Sequence, residues 1–207
     1  MTTARAKSSY APRHRSEWLG KISEAGVRRR AEHYYQQLDA LRPLRQEVRR
    51  DLLTESQKHK AWKLLRQIPG TGATRAALLI ALMQTPHRFR TKRQFWSYCG
   101  LGIVMRSSSD WVRTPDGRWT RGEVQQTRGL NLNHNHTLKC IFKGAATTVI
   151  TQLETEPLHQ DYQRLIAAGT KPNLAKLTIA RKLAAIALSM WKSKEKYDPT
   201  KHRKQGS

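Results

Sequence analysis

Residues 61–84 read AWKLLRQIPGTGATRAALLIALMQ, and this stretch decides the fold. Apolar residues at Trp62, Leu65 and Ile68 recur at helical spacing up to the turn Pro69-Gly70-Thr71-Gly72. A second helix follows at once, over 73–84, with Ala76, Leu79, Ile80 and Met83 on one face. An apolar residue, P-G-x-G and a new helix make the helix-hairpin-helix pattern. Gly70 and Gly72 carry no side chains, so their N–H groups can approach a phosphate closely. The helix N-terminus behind them adds unsatisfied donors and the positive end of its dipole. Lys63, Arg66 and Arg75 surround the turn, and with Gly70, Thr71 and Gly72 they form a first candidate DNA-binding group. Such contacts hold nucleic acid without reading its sequence. The plainer alternative is an ordinary connection between helices, where Pro-Gly is common. The flanking cations and the second glycine favour phosphate binding.

Downstream, cations interleave with aromatics. His87, Arg88, Arg90, Lys92 and Arg93 alternate with Phe89, Phe95, Trp96 and Tyr98, a mixture suited to gripping phosphates and stacking on bases. Arg90, Lys92 and Arg93 join the DNA-binding candidates. Helical spacing of the aromatics predicts that most of them fill a core. Gly100 and Gly102 break this helix, and the segment 103–122, with Asp116-Gly117 inside it, reads as one small hairpin or extended loop. Helices are predicted over 137–152 and 173–191, the last with Leu174, Leu177, Ala184 and Leu188 on its buried side.

Upstream, residues 1–15 are polar and basic without periodicity and read as a disordered tail. From Ser16, a plausible N-cap, the pattern is helical to Gln67. Tyr34, Leu38, Leu41, Leu44, Val48 and Leu52 form one narrow stripe with charged flanks. That suits a helical hairpin or coiled-coil arm over 16–63, serving dimerisation or packing on its own domain. Gly26 and Pro43 are the expected interruptions, Pro43 because it lacks a backbone donor. Residues 195–207 read as a flexible basic tail. The fold class is mainly α: an arm, then a helical domain over 64–194 with a helix-hairpin-helix and at most a small β-hairpin.

Charge narrows the partner. The chain has 207 residues, with 39 Lys and Arg against 15 Asp and Glu, a formal charge of +24. Between Ser56 and Ser109 there is no carboxylate and ten basic residues. Between Tyr162 and Lys194 there are seven more basic residues and again no acid. A solvated surface usually mixes signs, so long single-sign intervals point to a polyanion, nucleic acid above all. A +24 surface does not distinguish DNA from RNA. Cys99 and Cys140 are too few for a disulfide framework or a thiolate zinc site, which suits a reducing cytoplasm. No stretch approaches 18 apolar residues, so neither a signal peptide nor a membrane span is expected.

For chemistry, the basic body offers no acidic triad for a divalent metal, and the histidines of NHNH (133–136) lack a third ligand. No metal ligand is assigned. What remains is a hydroxyl in a cationic setting: Ser107, Ser108 and Ser109 follow Arg106. Serine attack on a phosphodiester gives a covalent phosphoserine link and needs a nearby arginine to neutralise developing charge. Serine triplets in loops are common, so spacing alone does not settle it.

Four blocks together, in this order, resemble one family: IPGTG (68–72) with its Ala-rich helix, RTKRQFWSYCGL (90–101), RGLNLNHNHTLK (128–139) and GTKPNLAKLTIARKLAAIALSMWKSKEKYDP (169–199). They are similar to the C-terminal transposase domain of bacterial insertion-sequence transposases of the IS116/IS110/IS902 type, over roughly Leu64 to Pro199. The resemblance implies DNA transposition and recombination by a mobile element, with a serine nucleophile that falls on Ser108, or on Ser107 or Ser109. Arg106 stands beside it. Asn135, Leu138 and Lys139 resemble the family's Asn-x-x-Leu-Arg start of the following helix, and Arg181 and Lys182 match its Ala-Arg-Lys segment. Lys139, Arg181 and Lys182 thus complete the DNA-binding candidates.

Family members carry an N-terminal RuvC-like domain with a carboxylate set, followed by a coiled-coil arm. Here only about sixty residues precede the domain, without strand patterns or carboxylates of that kind. The expectation is a truncated member or split gene product. It would need no cofactor of its own, magnesium belonging to a RuvC-like partner. The implied partners are DNA, a structured guide RNA, and a second copy or partner chain through the arm. The implied location is the bacterial cytoplasm, at the nucleoid. Two functions compete: the serine-bearing half of a transposase, and a non-catalytic nucleic-acid-binding remnant that clamps backbone phosphates.

Overall fold

The computed structural model describes residues 10–106, 111–121 and 126–199. Its contacts divide the chain into two units, Met1–Leu52 and Leu53–Ser207.

In the first unit a short 3-10 turn, Pro12–His14, leads into α1 (Arg15–Gly20), and α2 starts at Ala25. Residues 10–15 are therefore ordered here, unlike the tail expected from composition. The reason is Arg15, whose guanidinium donates to both carboxylate oxygens of Asp39 at 2.6 and 2.7 Å and lies over the Tyr35 ring. That hydrogen bond holds the Asp39 carboxyl below its ordinary range. The N-cap of α1 is His14, not Ser16. Helix α2 runs unbroken from Ala25 to Lys58, straight through Pro43. Proline removes one backbone bond and strands the carbonyl four residues back, that of Asp39. Asp39 and Pro43 are both exposed, so water can satisfy it and the helix continues. Much of the arm's apolar stripe is left uncovered by the described residues: Tyr34, Leu41, Leu44 and Val48 are each more than half exposed.

The second unit is built around α8 (Pro172–Ser193), against which α3 (Trp62–Leu65), α5 (Lys92–Tyr98), α6 (His136–Gln152) and α7 (Pro157–Ala167) all pack. Helix α4 (Ala73–Met83) joins them through α3 and α6. Alanines on α8 (Ala175, Ala180, Ala184 and Ala187) are fully buried, and their small side chains let neighbouring helices approach closely. Leucines and aromatics fill the space between, with Phe95 of α5 meeting Phe142 of α6 edge-on at 5.7 Å. Leu174, expected inside, is 55% exposed. The buried line of α8 runs through Ala175, Ile179 and Leu183, about 100° around the helix from it. Helix α7 has no counterpart in the sequence reading. Its inner face presents Leu158 and Asp161.

Asp161 is a buried carboxylate held by Lys182 of α8 at 2.7 Å and by Arg164 on its own helix. Removing one member of a buried pair leaves the other uncompensated. Lys182 keeps about a third of its side chain in solvent, so the effect is moderated. Asp161→Ala is expected to lower unfolding free energy by about 1–2 kcal/mol. Urea denaturation reads this directly, and an unchanged midpoint would contradict it.

Between α5 and α6 lie four short strands in two antiparallel pairs, where one small hairpin was expected. Strand β1 (Ile103–Arg106) pairs with β4 (Gln126–Leu130), and β2 (Trp111–Arg113) with β3 (Trp119–Arg121). Beyond an irregularity near Ile103, one register serves both: Met105 faces Thr127 and Trp111 faces Arg121. The strand pattern therefore reaches Leu130, past the predicted end at 122. Pro115-Asp116-Gly117 makes the inner turn, with Gly117 at φ +79° and its N–H on the Thr114 carbonyl at 2.8 Å.

Residues after α8 are tied to the same unit. The Tyr197 N–H donates to Gln67 Oε1 at 3.1 Å, and its hydroxyl to Glu156 at 3.4 Å. Burial, reinforced by Glu156, raises the phenol well above its ordinary value. No helix among the described residues is long and apolar enough to cross a membrane.

Candidate nucleic-acid interface

The turn Pro69-Gly70-Thr71-Gly72 sits between α3 and α4. Trp62, Leu65 and Ile68 are buried, as their spacing predicts, and so are Pro69 and Thr71. Its two glycines face different surroundings. Gly70 has φ +72°, and a Cβ built on it would stand 2.5 Å from the Ala145 carbonyl oxygen of α6. Its missing side chain lets the turn seat on a helix backbone. Gly72 is exposed, in ordinary extended geometry (φ −73°, ψ 178°), and a Cβ there would meet nothing within 4 Å. It is the N-cap of α4, and having no side chain it makes no cap bond of its own. A helix N-terminus that opens at an exposed glycine is an arrangement that accepts an anion.

The cations predicted around the turn divide in the same way. Lys63 and Arg66 are exposed, the latter with its guanidinium 5.7 Å from the Trp62 ring centroid. Arg75 turns inward. Its Nη1 donates to the Gly70 carbonyl at 2.6 Å and to Thr148 Oγ1 at 3.2 Å, stapling turn to α6 over Gly144. Arg90, Lys92 and Arg93 are exposed on and before α5, where Thr91 caps the helix through the Gln94 N–H. Lys92 Nζ stands 5.8 Å from the Trp96 ring centroid. Of the interleaved aromatics, Phe89 and Phe95 are buried and Trp96 and Tyr98 half-buried.

Lys139 is half-buried in the first turn of α6, behind Asn135, whose side chain caps that helix at the Leu138 N–H. Arg181 donates from Nε to the Leu101 carbonyl at 2.6 Å, and the Trp96 indole N–H donates to the Arg181 carbonyl at 2.9 Å. Burial lowers that guanidinium from its usual value. Lys182 pairs with Asp161 as described. The donors of Arg75, Arg181 and Lys182 thus have partners inside the fold.

Ser107, Ser108 and Ser109 lie outside the described residues, as does the side chain of Arg106, whose backbone ends β1. What is described is the chain leading into β1 and the chain leaving β4. Gly100, at φ +65°, lies flat against the His134 ring, where a Cβ would come within 2.3 Å. The Asn131 N–H donates to the Gly102 carbonyl and the Asn135 N–H to that of Tyr98. These bonds fasten β1 and the chain after β4 to the C-terminal end of α5. His134 also stacks on His136 at 4.3 Å. Among the described residues no three His, Cys, Asp or Glu side chains come together.

Two features escaped the sequence reading. Trp111 of β2 and Trp119 of β3 are each 63% exposed, flanking Arg113 and Arg118. A cavity of about 780 Å³ also opens beside α3, lined by lysines from separated segments. Periodicity assigns the tryptophans to strands but cannot say that both strand faces are wet.

Compared with known proteins, residues 62–163, about half of the chain, match the family model described as transposase IS116/IS110/IS902 family. No curated protein matches this chain.

Proposed function

The chain belongs, through its residues 62–163, to the transposase IS116/IS110/IS902 family, and on that premise we propose that its Leu53–Ser207 unit grips DNA during insertion-sequence transposition and recombination. A transposase-family domain supports a role in transposition as such. Its grip on DNA is our reading of the surface. One observation carries it: inside the matched segment, exposed Lys63 and Arg66 lead into a turn that ends at exposed Gly72, the N-cap of α4. Backbone donors, helix dipole and cations there offer a phosphate three favourable interactions at once. Arg90, Lys92 and Arg93 extend the cationic surface on another element of the same unit. Arg75, Arg181 and Lys182 serve this role by holding the turn and the helices in place.

Ser108, or one of its neighbours Ser107 and Ser109, is proposed as the nucleophile, with Arg106 to neutralise charge. Its oxygen attacks phosphorus, the bond to one deoxyribose oxygen breaks, and that oxygen leaves as a hydroxyl while the strand stays joined to serine. A RuvC-like partner bearing carboxylates and magnesium, and a structured guide RNA, would complete the cycle. The uncovered stripe Tyr34, Leu41, Leu44 and Val48 suits a second copy or partner helix. The test is duplex binding by the purified chain, read by fluorescence anisotropy at low ionic strength. Submicromolar binding is expected, and none at 50 mM salt would refute the reading. Binding with no covalent adduct, even beside a RuvC-like partner, would favour the non-catalytic clamp instead.

A further inference from the structure

The cavity beside α3 lies within the second unit and encloses about 780 Å³. That is within the range that buries a small organic ligand. Lysines reach it from the end of α2 (Lys58), the next turn (Lys60), α3 (Lys63) and the segment after α8 (Lys194, Lys196). Lys58 is paired with Glu55 at 2.6 Å, and no Asp or Glu is among the lining residues. Trp191, almost wholly buried, forms an apolar wall, and His59 meets it edge-on at 5.7 Å. The Ala61 N–H donates to His59 Nδ1, which leaves Nε2 to carry the proton of the neutral ring.

The backbone shows what borders the cavity. Among the described residues, two that are not glycine have positive φ, Gln84 at 59° and Lys194 at 58°, and both line this cavity. Both are helix C-caps, Gln84 of α4 and Lys194 of α8, the latter in the left-handed conformation that commonly ends a helix, so the ends of two helices border the cavity. Tyr197, bonded to Gln67 and Glu156, fixes the segment that carries Lys194 and Lys196 over the opening.

We infer that this cavity receives an unpaired nucleotide of a nucleic-acid strand, the lysines holding its phosphate and the Trp191 side taking its base. A duplex is a convex rod and cannot enter, whereas one nucleotide turned out of a strand can. The inference rests on nucleic acid being the partner, as proposed above, and specifies a second, single-strand-selective site on the same unit.

The experiment compares a 5′-phosphorylated six-nucleotide single strand with a 20-base-pair duplex, both by anisotropy across a salt series. The variants are Lys60→Gln/Lys194→Gln/Lys196→Gln and Lys143→Gln/Lys171→Gln/Lys176→Gln, the latter an equal charge change outside the cavity. The cavity variant is expected to lose single-strand affinity about tenfold or more, and duplex affinity at most about threefold. The outside variant should treat both ligands alike. Lys194→Gly supplies a second check, since glycine accepts that φ without strain: it should fold at least as stably yet bind the single strand more weakly. Equal losses on both ligands, or no loss, would overturn the inference. Wild type binding duplex but not single strand would overturn it while sparing the proposed function. Wild type binding neither would remove both. Displacement by a nucleoside monophosphate as effectively as by the strand would reassign the cavity to free nucleotides.

Discussion

Gly70→Ala lowers the stability of the Leu53–Ser207 unit by about 3 kcal/mol, the sum of two separate penalties. A side chain at φ +72° carries the left-handed strain, roughly 1 kcal/mol or more. The new Cβ would also lie 2.5 Å from a backbone oxygen of α6, which cannot rotate away as a side-chain tip can. The turn must lift, loosening the Arg75 staple to Gly70 and Thr148. Overpacking of this kind adds about 1–3 kcal/mol. For a unit of this size the melting temperature should fall by about 6–12 °C. Gly72→Ala is the internal control: in open space at ordinary backbone angles, it should shift stability by no more than about 0.5 kcal/mol. Any loss of DNA affinity in Gly72→Ala then reports on the phosphate contact and not on folding. The two glycines of one motif therefore answer different questions, and Gly70→Ala melting like wild type would remove the packing role.

The largest effect on activity belongs to Ser108. With a RuvC-like partner supplied, wild type should leave a covalent protein–DNA species that survives denaturing electrophoresis. Ser108→Ala should reduce it by about 10³-fold or more, the usual consequence of deleting a nucleophile. Duplex affinity should stay within about twofold, because one neutral hydroxyl adds little to a grip made by cations. An adduct that persists moves the assignment to Ser107 or Ser109, which the same substitution tests in turn.

Long elements were legible because each repeats its apolar spacing over several turns. Helices α4, α6 and α8 lie within two residues of the ranges their periodicity gives. Helix α7 was passed over although Pro157 at its start and Leu158, Leu165 and Ile166 at helical spacing mark it, with Asp161 on the buried face. Leu174 misled for a different reason: an apolar residue in a first turn whose buried line passes through smaller alanines. The candidate site divides on the same principle. Composition counts Arg75 and Arg181 as available cations, but only the tertiary arrangement brings the carbonyls of Gly70 and Leu101 to their guanidiniums. The lysine cavity joins segments more than a hundred residues apart, so no local pattern announces it.

The central claim is that exposed cations on this unit hold the sugar–phosphate backbone irrespective of base sequence. The direct measurement is the slope of log affinity against log salt for duplex DNA, in wild type and in Arg90→Gln/Arg93→Gln. A steep negative slope is predicted, shallower by about two in the double variant and equal on two unrelated sequences. A slope that both substitutions leave unchanged would contradict the account.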